Sequence, residues 1–326
     1  MTATFDDPRM IQLAQVASLY YDQNKSQQEI ADEVGISRSA ISRLLTEAKE
    51  RGIVEIVVHY PWRTVPALET ELMQRFNLKS VKVLERANKS YQEMLQGLGV
   101  LAAQHFSSLL HDGLVIGISW GTALYQMIKS IRRMKLSGVE VVQLIGATGN
   151  ENNPTDGPIL AQLLSQQIGG TSRYLHAPLV VDTEAAREAL MQNRNIRQTI
   201  ARMEAIDIAL VGIGSTKSEL YSLLRAGYVT EEEAQQVRMY GAVGDVCAQH
   251  YKIDGQWLDI DINRRILGIS LETLQNIDVV IGVAGGSQKG AAILGALKGQ
   301  YINTLITDDQ AAKKVLALSQ SLDNHF

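Results

Sequence analysis

Cysteine is nearly absent. Cys247 is the only one in 326 residues, which excludes an intrachain disulfide framework and a cysteine-rich zinc site. Long apolar runs are missing as well: none approaches the ~18 residues that a membrane span requires. The opening residues MTATFDDPRM carry no basic-then-apolar signal, so the expectation is a cytoplasmic protein with no membrane partner. Nor is there an excess of positive charge. At a formal net charge of −4 the chain cannot coat nucleic acid by bulk attraction, so any DNA contact has to be local and geometric. The six histidines, at 59, 105, 111, 176, 250 and 325, show no metal-ligand spacing, and neither a metal nor another cofactor is expected. His176, between Leu175 and Ala177, reads as a satisfied core residue. Proline (6) and glycine (26) suit ordinary turns and not low complexity. What is plentiful is hydrophobic residue, 45% of the chain, enough at this length for two domains.

The most informative stretch is SQQEIADEVGISRSAISRLLTEAKER, Ser26 to Arg51. Ser26 with Glu29 three residues on is a capping box that starts a helix. Ile30, Ala31 and Val34 share one face of it, and Ala31 is small enough for a close helix crossing. Gly35 permits a sharp turn, and Ile36 fills the space beneath it. Ser37 can cap a second helix whose inward stripe is Ile41, Leu44, Leu45 and Ala48. Arg38, Ser39, Ser42 and Arg43 then point outward near its start. This is a helix-turn-helix pattern: arginine can grip guanine edges or phosphate, and serine lets the backbone come close while offering a donor and an acceptor. Gln27, Ser37, Arg38, Ser39, Ser42 and Arg43 are therefore the candidate DNA contacts, against the plainer alternative of a helical hairpin with a solvated face. Residues 1–60 hold nine acidic and six basic side chains, net −3, but four of the basic ones lie between Arg38 and Arg51. Before this pair, residues 10–22 place Ile11, Leu13, Ala14, Ala17, Leu19 and Tyr20 on a stripe and supply a third helix. After it, Ile53 to Tyr60 alternates as a strand, either the wing of a winged helix or a joining strand. Residues 1–60 are thus read as a DNA-binding domain, 61–66 (PWRTVP) as a linker, and 67–326 as a larger domain.

From Ala67 the rhythm becomes strand, loop, helix. Helices are expected over 67–76, 91–111, 121–134, 157–168, 184–191, 194–204, 230–238, 288–297 and 309–320. Strands are expected over 81–84, 114–119, 139–146, 206–214, 279–284 and 302–307. Short continuous apolar runs between amphipathic helices imply an α/β fold with a mainly parallel sheet covered on both faces. Ligands bind such sheets at the carboxyl ends of strands. After the strand ending at Ser119, Trp120, Gly121 and Thr122 open a helix and offer backbone N–H groups to an anion. Gly285-Gly286-Ser287-Gln288-Lys289 allows close main-chain approach to an oxyanion and adds a positive charge, without being a Walker A loop. Asn153, Thr155 and Asp156, with Asp245 in GAVGDVC, suit sugar hydroxyls, although Thr155 and Asp156 also suit helix capping. Gly212-Ile213-Gly214-Ser215 is ambiguous in the same way.

These segments together resemble the sorbitol-operon-regulator (SorC-type) family of bacterial transcription factors. The likeness is carried by SQQEIADEVGISRSAISRLLTEAKERGIV, GISWGTAL, NPTD at 153–156, HAPLVVD at 176–182, LVGIGS at 210–215, GAVGDVC at 241–247 and the run from Gly285 to Ala312. The resemblance implies a head that binds operator DNA and a body with the fold of sugar-phosphate isomerases and deaminases, used as an effector sensor. It also implies self-assembly into dimers or tetramers. It places an effector phosphate near Gly121, Thr122 and Lys289, and the sugar near Asn153, Thr155, Asp156 and Asp245; Ser119 and Gly285, beside the first and last of these loops, are counted as effector contacts with them. Some relatives have a small hydroxyl residue or glycine where this chain has Trp120 or Ala123. The competing expectation is a sugar-phosphate isomerase or deaminase with an accessory head, in which Asp245 or Asp156 would act as base; no histidine or second carboxylate stands at a convincing spacing from either.

Overall fold

The computed structural model describes residues 7–54, 62–149 and 154–323, and the chain divides into two compact units, Met1–Pro61 and Trp62–Phe326. The first holds α1 (Pro8–Tyr21), α2 (Gln27–Val34) and α3 (Arg38–Glu50). Asp7 caps α1, and the Ser26–Glu29 capping box forms with both bonds present. Gly35 ends α2 at φ +75°, a left-handed conformation that lets the chain reverse without strain. Ser37 Oγ then accepts from the Ala40 amide, so the second helix starts one residue after its cap. Leu13, Val16, Ala17, Ile30, Ala31, Ile41, Leu44, Leu45 and Ala48 form the core. The inward stripe of α3 is as expected. The α1 stripe is rotated from expectation: Val16 is inside, whereas Ile11 and Ala14 are exposed, because α1 leans on α3 through Leu13, Val16 and Ala17. Val34 also faces solvent, as the last residue of a two-turn helix. The expected strand at 53–60 falls mainly on residues outside those described; Ile53 and Val54 pack against the head core.

Residues 62–66, expected as linker, are built into the second unit. Thr64 bridges to Leu84, the Val65 amide donates to Val83 O, and Pro66 already begins a helix. The strands are β1 (Ser80–Leu84), β2 (Val115–Ile118), β3 (Glu140–Gln143), β4 (Thr171–Arg173), β5 (Ile208–Ser215), β6 (Gly244–Val246), β7 (Gln249–Tyr251), β8 (Val279–Val283) and β9 (Thr304–Asp308). The helices are α4 (Pro66–Phe76), α5 (Tyr91–Ser107), α6 (Thr122–Ser130), α7 (Gly157–Ile168), α8 (Glu184–Met191), α9 (Arg194–Met203), α10 (Ser222–Arg225), α11 (Glu231–Met239), α12 (Asp261–Arg264), α13 (Leu271–Gln275), α14 (Gly290–Lys298) and α15 (Asp309–Asp323). The main sheet runs β1-β9-β8-β5-β2-β3-β4, with every pairing along it parallel. Successive residues of one strand enter opposite cores: Ile208 and Leu210 of β5 join one cluster, Ala209 and Val211 the other. Burial on both faces is why these strands read as unbroken apolar runs.

Several parts depart from the expected pattern, among them the short helices α10, α12 and α13, which were not expected. β4 and the β6–β7 hairpin are new, and the hairpin is antiparallel, pairing β6 with the end of β5. α5 and α6 stop at Ser107 and Ser130, short of 111 and 134. The chain after α6 is instead tied to α7, with Gln167 O accepting from Met134 and Ile168 O from Leu136.

The strand order places the site. From β2 the chain moves to β3 on one side, whereas from β5 it moves to β8 on the other. The carboxyl ends of the neighbours β2 and β5 therefore flank the topological switch point, where connecting loops diverge and a crevice opens.

Candidate functional site

In the head, the six candidate DNA contacts divide by role. Arg38, Ser39, Ser42 and Arg43 are exposed on α3. Ser37 is the helix cap and lies 3.0 Å from the Ser39 hydroxyl. Gln27 is half-buried at the first position of α2. Arg43 Nε donates to Ser39 O at 3.3 Å, which orients the root of its guanidinium along the helix. Glu47 on the same helix is held by Arg9 and Arg51 and does not oppose those cations freely.

In the body, a cavity of about 350 Å³ opens at the switch point. Its walls come from the ends of β2 (Trp120, Gly121, Thr122), β3 (Thr148, Thr155), β5 (Gly212, Gly214) and β8 (Gly285, Lys289), with Asp245 from β6. No side chain caps α6, and Gly121 through Leu124 border the cavity. The first N–H groups of a helix lack partners within it, so this wall carries partial positive charge. Lys289 adds a cation. Its Nζ donates to Ile213 O at 2.7 Å, and burial lowers its pKa to about 8 despite the attraction of Asp245.

Asp245 is buried and stands opposite Gly214 in the β5–β6 ladder. A Cβ on Gly214 would lie 2.0 Å from Asp245 Oδ1, so only glycine leaves room for that carboxylate. The Gly212–Ser215 segment is thus the end of β5, where Gly214 permits this close approach. Burial raises the Asp245 pKa, opposed by His250 and Lys289. Among the described residues, Asp245 Oδ1 and Thr148 Oγ1 are buried without a hydrogen-bond partner. Both atoms belong to cavity-wall residues, and buried polar atoms in native structures are normally paired, so both are suited to ligand hydroxyls.

Behind Asp245 the structure is closed. His250 Nδ1 lies 2.7 Å from Asn263 Oδ1, and Asn263 Nδ2 donates to His250 O and Leu258 O. With Asn263 Oδ1 accepting, His250 carries its proton on Nδ1 and accepts from the Tyr221 hydroxyl at Nε2, 2.7 Å away. Burial lowers the His250 pKa, keeping the ring neutral, and raises the Cys247 thiol, keeping it protonated. His250 is thus the satisfied core histidine. His176, expected in that role, is exposed, with its ring edge-on to Tyr174, because the segment after β4 turns it to the surface.

The remaining candidates occupy different places. Ser119 is buried below the cavity floor, its Oγ accepting from the Gly212 amide at 3.4 Å, and so joins β2 to β5. Asp156 caps α7 through the Gly157 amide and also accepts from the Thr148 amide, holding a wall residue in place. Asn153 lies outside the described residues. The sequence reading missed Thr148, Tyr91 and Arg225. Arg225 ends the one-turn helix α10, which is too short to leave a periodic signal.

A helix-turn-helix head joined to a parallel α/β body with a polar, ligand-sized pocket defines a ligand-sensing transcription regulator. Residues 62–317 match the family model described as "Putative sugar-binding domain", and residues 12–51 match Sigma-70, region 4. The deoxyribonucleoside regulator of Bacillus subtilis is 34% identical over 302 residues, covering 93% of this chain and 96% of that protein. The sorbitol operon regulator of Klebsiella pneumoniae is 32% identical over 313 residues, covering 95% and 98%. The crystal structure of the full-length sorbitol operon regulator SorC from that organism has a TM-score of 0.73 at 30% identity, covering 95% of this chain and all (100%) of that one. The chain belongs to the SorC-type family of sugar-binding transcriptional regulators. These relatives are named as regulators and not as enzymes. Among the described residues no helix is long and apolar enough to cross a membrane.

Proposed function

We propose that this chain controls a carbohydrate-use operon in the cytoplasm, and that a phosphorylated sugar bound at the switch point sets its affinity for operator DNA. Residues 1–60 act as the reader and the body as sensor and assembly unit. The observation that carries this reading is the pairing of opposite chemistries in one cavity. The uncapped start of α6 and Lys289 offer donors and positive charge to a phosphate, while Asp245 Oδ1 accepts from sugar hydroxyls.

The phosphate is assigned to Gly121, Thr122, Gly285 and Lys289, and the sugar to Asn153, Thr155 and Asp245. Ser119 and Asp156 support this arrangement from behind. Ligand binding is read out by a change in how copies of the chain assemble, which alters the spacing of paired heads. A coupling of ~1–3 kcal/mol would shift operator affinity roughly 5- to 150-fold. The test is thermal-shift screening of phosphorylated and free sugars, followed by fluorescence anisotropy of promoter DNA with each hit. A hit that stabilises the protein and alters DNA affinity supports the reading. Steady conversion of a sugar phosphate without DNA binding would refute it.

A further inference from the structure

The α3 surface contains a residue that the sequence pattern passes over. A helix advances about 100° per residue, so positions i, i+3, i+4 and i+7 form one stripe. Ser39, Ser42, Arg43 and Thr46 are such a stripe, and all four are exposed. The opposite stripe of Ile41, Leu44, Leu45 and Ala48 is buried, which puts the first four at the centre of the outward face.

The bonds along this stripe determine what each side chain can still offer. Arg43 spends Nε on Ser39 O, leaving its two terminal amines without an acceptor among the described residues. Thr46 donates its hydroxyl proton to Ser42 O at 3.1 Å. That bond holds the side chain in one rotamer, with the hydroxyl directed back along the helix, so the γ-methyl is what Thr46 can present outward. In the major groove, a terminal guanidinium pair matches guanine O6 and N7, and a methyl matches the thymine C5-methyl. Arg43 and Thr46, three positions apart, are neighbours on the helix surface.

We infer that Thr46 is a specificity-determining residue that reads a thymine methyl beside the guanine read by Arg43. This rests on α3 being the DNA-reading helix. The full-length protein is used to select duplexes from a random-sequence pool, and each thymine of the selected site is then replaced by uracil, which removes only the C5-methyl. Burial of one methyl group is expected to make the wild-type protein lose about three- to fivefold in affinity at one thymine per half-site. Thr46→Ser keeps the bond to Ser42 O but lacks the methyl, and binds the thymine and uracil duplexes alike. Thr46→Val keeps a methyl and retains the preference for thymine. An equal thymine-to-uracil loss in wild type and Thr46→Ser, or no loss at any thymine, overturns the inference. Failure of the wild type to enrich any duplex overturns the DNA-reading of α3 itself and the inference with it.

Discussion

The head and the body solve the same problem of presenting polar groups to a ligand, but at different ranges along the chain. The head concentrates its outward groups within the thirteen residues of α3. The body draws its cavity from positions as far apart as Tyr91 and Lys289. A helix face is specified by local spacing alone, so its chemistry survives if the helix merely forms. A cavity at strand ends depends on every crossover in the sheet, and a backbone shift in one strand alters all its walls. The head should therefore respond to substitution one side chain at a time, and the body as a unit.

The strongest challenge to this contrast is Lys289→Ala. Loss of a charge-assisted contact is expected to lower affinity for an anionic sugar about 100-fold while leaving effector-free operator binding unchanged; isothermal titration and anisotropy measure the two separately. If both fell together, the two regions would not be separable. Next is Gly214→Ala, which forces Asp245 from its place. We expect a loss of roughly 1–3 kcal/mol in body stability by denaturant melting, with effector affinity reduced and no change in the binding of DNA by the head. Arg43→Ala tests the other side: about tenfold weaker operator binding with effector affinity intact.

The smallest effect is that of pH. With its pKa lowered to about 8, Lys289 is mostly protonated at pH 7 and half protonated at pH 8. A phosphate has lost its second proton well below this range, so only the lysine changes charge. Anion affinity should fall about twofold between pH 7 and 8 and continue to fall above it. Titrations of the Lys289→Ala variant over the same range should show no such slope.

Much of the architecture was legible because it follows from local rules. The Ser26–Glu29 capping box, the Gly35 turn and the buried stripe of α3 each rest on contacts within a few residues. The parallel sheet was legible because strands buried on both faces must be continuously apolar. What was not legible came from contacts between distant segments. Nothing near Ile11 announces that it faces water, since it fits a helical stripe and only the packing of α1 on α3 decides the rotation of α1; Val34 also fits a stripe but is the last residue of α2. For a similar reason His176 is not the core histidine expected: His250 finds Tyr221 and Asn263 across the fold, whereas among the described residues His176 has no such hydrogen-bond partners.

The sequence by itself determined the helix-turn-helix, the alternation of strands with helices and the glycine-containing segments that border the cavity. Capping, periodicity and backbone freedom act over less than a dozen residues, and for that reason they can be read in a line. Only the tertiary structure decided that the β6–β7 hairpin folds back on β5, that Gly214 makes room for Asp245, and that Thr148 and Arg225 reach the same cavity as Lys289. Those choices depend on strand order, and strand order is settled by packing both faces of the sheet at once.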